Sequence, residues 1–186
     1  MILHIPEIGI HTVGLAIGDQ EPLQLPVQNG MLRLPAIPPE IAFSVINNGE
    51  RALTTTISDL KNLESSVKVI SATTCRSHDD LEPTGRTTQF FQDDQQVVFL
   101  ASYEGVSADC PVWISWHYGE TLVYANLVVL PRQGTDSRRV HGTGIYLMPN
   151  TPKGAWRVES RLLTGRLLYN QPFTLVARKR LSYGLS

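Results

Sequence analysis

Apolar residues recur at every second position through most of this chain, and no span of eleven or more residues carries the recurrence at three and four that an amphipathic helix needs. That pattern restricts the chain to sheet architectures, because side chains alternating across a pleated strand can bury one face only against another layer. The clearest strands are expected at 66–74, 95–104, 111–118, 121–131, 143–148, 154–163 and 166–177. Seven strands in about 115 residues is the density of a sandwich with immunoglobulin-like proportions. In the stretch 156–162, Trp156, Val158 and Leu162 share one face while Arg157, Glu159 and Arg161 share the other, the signature of a half-buried strand. Gly165 within Leu163-Thr164-Gly165-Arg166, and Gly119 within Tyr118-Gly119-Glu120, stand where tight hairpins require positive φ.

The first sixty residues differ in texture. Pro6, Pro22, Pro26, Pro35, Pro38 and Pro39 interrupt short apolar runs, so strands here should be short or at sheet edges. Asn47-Asn48-Gly49-Glu50 signals a turn between two apolar runs, and 58–65 reads as a short helical linker. Sixty residues bury too little surface to stand alone comfortably. The expected fold is therefore all-β: an antiparallel β-sandwich over 66–186, with a proline-rich β extension or small subdomain over 1–65 packed on it or on a neighbouring chain.

At 186 residues with 42% hydrophobic content, the chain can fill a core, which excludes wholesale disorder, and no run approaches the length of a membrane-spanning helix. The start lacks the basic segment and apolar run of a signal peptide, so a cytoplasmic location is the expectation. Two cysteines, Cys75 and Cys110, without a CxxC pair are read as free thiols, with a single bridge as the alternative. Formal charge is divided: residues 1–130 carry 6 basic and 15 acidic side chains, and residues 131–186 carry 10 and 2. An Arg-rich end could form an anion-binding or acidic-protein surface, could be neutralised by acidic strands beside it, or could meet the acidic part of another copy. Aromatic interleaving of the kind used to stack bases is thin there, which argues against nucleic acid.

No constellation compels an active site. Ser77-His78-Asp79-Asp80 sets triad letters side by side, but adjacent strand residues diverge, so a solvated turn is expected. Asp93-Asp94 reads as a turn entering a strand, and Gly142-Thr143-Gly144 lacks the lysine and helix of a phosphate loop. His4, His11 and His141 have no metal-ligand spacing; no metal and no cofactor are expected. Trp113, Trp116, Tyr118 and Tyr124 crowd one hairpin, where an aromatic platform could hold a carbohydrate or another small ligand. Alternation assigns Trp116 with Ile114 and Val112 to the core and leaves Trp113 as the exposed or interface member.

The stretch Val112-Trp113-Ile114-Ser115-Trp116-His117-Tyr118-Gly119-Glu120, followed by Pro152-Lys153-Gly154-Ala155-Trp156-Arg157-Val158, Gly165-Arg166-Leu167-Leu168 and Phe173-Thr174-Leu175, resembles the C-terminal strands of small bacterial immunoglobulin-like modules. The resemblance spans about residues 66–178 and implies a non-catalytic role in binding or architecture. The expected function is protein–protein contact, with a protein partner or a second copy, as an accessory or structural subunit of an assembly. Interface candidates are Trp113, His117, Arg157, Arg161 and Arg166. A carbohydrate or small-ligand module using the aromatic hairpin is the alternative.

Overall fold

The computed structural model describes residues 1–6, 12–17, 20–47, 50–132 and 139–177. The turn residues Asn48 and Gly49, His11, and the arginines Arg138, Arg178 and Arg180 lie outside these. Six short strands come first: β1 (Ile2–His4), β2 (Thr12–Ile17), β3 (Leu23–Gln28), β4 (Met31–Arg33), β5 (Phe43–Asn47) and β6 (Glu50–Thr55). They form one sheet in the order β1-β4-β3-β2-β5-β6. Helix α1 (Ile57–Ser66) follows, where the sequence suggested a helical linker. Thr56 caps it by accepting from the Asp59 N–H at 2.9 Å, and its face of Ile57, Leu60 and Leu63 is buried.

Nine strands build the rest: β7 (Lys68–Asp79), β8 (Glu82–Arg86), β9 (Gln89–Phe91), β10 (Gln96–Glu104), β11 (Cys110–Tyr118), β12 (Thr121–Leu130), β13 (Arg139–Tyr146), β14 (Gly154–Leu162) and β15 (Leu167–Val176). They make an antiparallel, immunoglobulin-like β-sandwich whose four-stranded sheet runs β13-β10-β7-β8 and whose five-stranded sheet runs β12-β11-β14-β15-β9. Among the described residues, only the short edge strand β9 runs parallel to its neighbour. The two sheets share a core to which β10 gives Val97, Phe99, Ala101 and Tyr103, and the facing sheet gives Val112, Ile114, Trp116, Trp156, Val158 and Phe173. Inside it the Tyr103 hydroxyl and the Ser160 Oγ meet at 2.9 Å, so both buried hydroxyls are satisfied. Hairpin turns stand where Gly119 (φ 54°) and Gly165 (φ 93°) required them. β8 and β9 were not foreseen: both are short, and β8 holds Pro83 and Gly85, residues that weaken a strand pattern.

A third layer changes the reading of the middle strands. The outer face of the five-stranded sheet is not wholly solvated, because the N-terminal sheet and α1 lie over part of it. Trp113 and Leu163 belong to the same cluster as Leu3, Leu15, Leu32, Phe43, Leu53 and Leu60, with Ala125 and Leu127 packed against it. The expectation of an exposed Trp113 is therefore corrected: it is 8% exposed, and the interface it forms lies within the chain. β11 is consequently buried on both faces from Cys110 to Trp116, as strands covered by layers on each side are.

Candidate functional site

Neighbouring strands β11 and β14 stack three polar rungs on that outer face. Trp113 is opposite Arg161, Ser115 opposite Glu159, and His117 opposite Arg157. Alternation puts all six side chains on one side of the sheet, since each strand contributes every second residue. His4, Pro6 and the β3–β4 turn at Asn29 and Gly30 face the lower rungs, enclosing with them a cleft of about 460 Å³. The structure thus brings the interface candidates His117, Arg157 and Arg161 together, and adds His4, Ser115 and Glu159, which were not among those candidates.

Glu159 organises the cleft. Its Oε1 accepts from Arg157 Nε at 2.9 Å, and its Oε2 accepts from Arg161 NH2 at 2.9 Å and Nε at 3.2 Å. Burial alone would raise the carboxyl pKa, but the hydrogen bonds from both arginines outweigh it and hold it below the ordinary value. Arg157 also donates to the Gly119 carbonyl and comes within 3.5 Å of Glu120, while Arg161 donates to the Gly165 carbonyl at 3.0 Å. The arginines therefore tie both hairpin turns to one buried carboxylate. Most of this neutralisation is local, between residues two apart on β14, and only the Glu120 contact draws on the acidic part of the chain.

His117 receives a guanidinium N–H from Arg157 at its Nδ1, 3.4 Å away, and its Nε2 lies 3.1 Å from Ser115 Oγ. A guanidinium can only donate, so Nδ1 is the acceptor and the ring proton sits on Nε2. The imidazole then donates to the serine and cannot take its proton, the reverse of the polarity that activates a nucleophilic serine. Burial first, then the Arg157 charge, keep the His117 pKa below its usual value; burial, then Arg161, do the same for His4. Among the described residues, no group of three or more His, Cys, Asp or Glu could hold a metal ion.

The other candidates fall elsewhere. Arg166 donates to the carbonyls of Glu64 and of Val67, the latter at 3.0 Å, and so closes the C-terminal end of α1. Trp113 and Trp116 are both buried and offer no exposed platform; Tyr118, partly exposed, lies against Trp156 at 5.4 Å between ring centroids with its hydroxyl on the Lys153 carbonyl. Cys75 and Cys110 are free and buried, and burial pushes the Cys110 thiol up to about 12. His78 and Asp79 end β7, and Asp80 and Leu81 form the turn into β8.

A second surface lies at the rim of the same sheet. β12 is an edge strand: among the described residues, only β11 pairs with it. Its ten residues, Thr-Leu-Val-Tyr-Ala-Asn-Leu-Val-Val-Leu, include no charge, proline or glycine, so it carries none of the sequence devices that usually blunt an edge. Val123 (48%), Tyr124 (45%) and Val129 (37%) are exposed, and Asn126 Oδ1 is buried with no hydrogen-bond partner. The pairing with β11 is regular from Tyr124 to Leu130 and shifts by one residue near its start.

No protein-family model matches the chain, and no curated protein matches it. Among solved structures it is similar to an immunoglobulin-like protein from Pseudomonas aeruginosa, 14% identical, with 60% of this chain and 98% of that chain covered and a TM-score of 0.44. It is also similar to a Niemann-Pick type C2 protein from the Japanese carpenter ant, 10% identical, covering 61% of this chain and 94% of that one at a TM-score of 0.35. No helix among the described residues is long and apolar enough to cross a membrane.

Proposed function

We propose that this chain is a non-catalytic β-sandwich protein that works by protein–protein contact, with β12 as the contact strand. The observation that carries this reading is the ten-residue, uncharged edge of the five-stranded sheet. An unpaired edge presents a row of N–H and C=O groups to which another strand can add, and apolar side chains on both sides of it supply the contact area. The polar cleft supports the non-catalytic part of the reading: its carboxylate is saturated by two arginines, and its histidine donates to its serine. In this reading the cleft fastens the N-terminal sheet beside the contact strand.

Photocrosslinking tests the proposal. A photoreactive residue placed at Val123 or Val129, in cells that naturally make the protein, is expected to give a discrete crosslinked protein. The same residue at the exposed Lys61 of α1 is expected to give none. Crosslinks at Lys61 without any at β12 overturn the reading.

A further inference from the structure

Resting on the β12 reading, we infer that the partner strand is β12 of a second copy, paired antiparallel about a two-fold axis through Asn126. Residues directly opposite in an antiparallel pair share a face, so a strand pairing with itself must place a residue, not the gap between two, on the axis. With Asn126 there, Ala125 meets Leu127, Tyr124 meets Val128, and Val123 meets Val129, which joins the exposed apolar side chains to one another.

Two independent features select that register. The first is the orphaned amide. Directly opposed residues have Cβ atoms about 4.5–5.5 Å apart, within reach of a side-chain amide hydrogen bond. Asn126 Oδ1 is buried without a partner in the single copy; no hydrogen bond holds it there, so turning the amide toward the open edge lets it accept from the Asn126 amide nitrogen of the second copy. The second is charge at the strand's two ends. Glu120 precedes β12, its side chain 97% exposed, and Arg132 follows it, also exposed. The two-fold sets Glu120 of each copy beside Arg132 of the other, and the one-residue irregularity near the start of β12 is a displacement these long side chains span. The strand between them is uncharged, so no like charges are brought face to face. Both copies use the same edge, so the contact closes on itself as a dimer and does not propagate.

Sedimentation equilibrium of the full chain over a wide concentration range tests this, with circular dichroism melts confirming that each variant is folded. A reversible dimer is expected. Val129→Lys should weaken it at least tenfold. Glu120→Arg and Arg132→Glu should each weaken it roughly three- to tenfold, as two exposed ion pairs would. The double swap, Glu120→Arg with Arg132→Glu, should return it to within about twofold of the original, a rescue that only this cross-copy pairing explains. A monomer at every concentration up to about 1 mM, or a dimer indifferent to Val129→Lys and to the charge swap, overturns the inference. Photocrosslinks from β12 to a different protein alone would overturn the second copy as partner while sustaining β12 as the contact strand; their absence from β12, with crosslinks at Lys61, overturns both.

Discussion

At the scale of single residues, the arrangement around Glu159 shapes how the protein responds to acid, beside His141 of β13, whose pKa burial lowers in the same direction. His4, His117 and Glu159 all have pKa values depressed by folding. In each case the unfolded chain binds protons more readily than the folded one, so stability rises with pH across the window between folded and unfolded values. The histidine contributions are complete above about 6.5 and are lost as pH falls below it; the carboxylate contribution is complete above about 4.5 and is lost below that. Urea melts at successive pH values should therefore show stability declining on acidification in two stages. Glu159→Gln should remove the lower stage and cost about 2–4 kcal/mol at neutral pH, because it removes the carboxylate that both guanidinium groups share and leaves Arg157 only the exposed Glu120. The Arg-x-Glu-x-Arg spacing was visible in the sequence, and so was its common face. Its burial was not, since only the N-terminal layer makes that face interior.

At the scale of elements, strands whose sequence alternates apolar with charged or polar residues were the most legible. β14, β15 and the turns at Gly119 and Gly165 fall where alternation and glycine placed them. β11 misled for a physical reason: covered on both sides, its Trp113 has the same burial as a core residue, although its parity is opposite to that of Trp116. β13 begins at Arg139, earlier than its pattern indicated, because Gly142 and Gly144 leave gaps in the alternation. Smallness is required at Gly144, where a Cβ would meet the Val97 carbonyl oxygen at 2.9 Å; at Gly142 it would meet the end of the Leu100 side chain, Cδ2 at 2.8 Å, which can shift. Trp113→Ala tests the layer contact. It should cost about 3–5 kcal/mol, and hydrogen exchange should accelerate over β1–β6 more than over β7–β10, because the lost volume lies against the N-terminal sheet.

At the scale of the whole molecule, the five-stranded sheet is a wall shared by two cores. One fills the space toward the four-stranded sheet, the other the space toward the N-terminal sheet and α1. His4 donates its backbone N–H to the Leu163 carbonyl at 2.7 Å, so the first strand is also hydrogen-bonded to the turn that joins the last two. That the N-terminal part packs on the sandwich was expected from its small size, but which sheet it covers was not in the local pattern, because those contacts join residues at opposite ends of the chain. A gene trimmed to encode only residues 66–186 would strip the plaster from one side of that wall, leaving Trp113, Leu127 and Leu163 as a greasy panel in water. Such a fragment should bind a hydrophobic dye and precipitate at concentrations where the intact protein stays clear. Anyone wishing to shorten this protein, or to graft its sandwich onto another scaffold, must therefore carry the prolines along or repaint that panel with polar side chains.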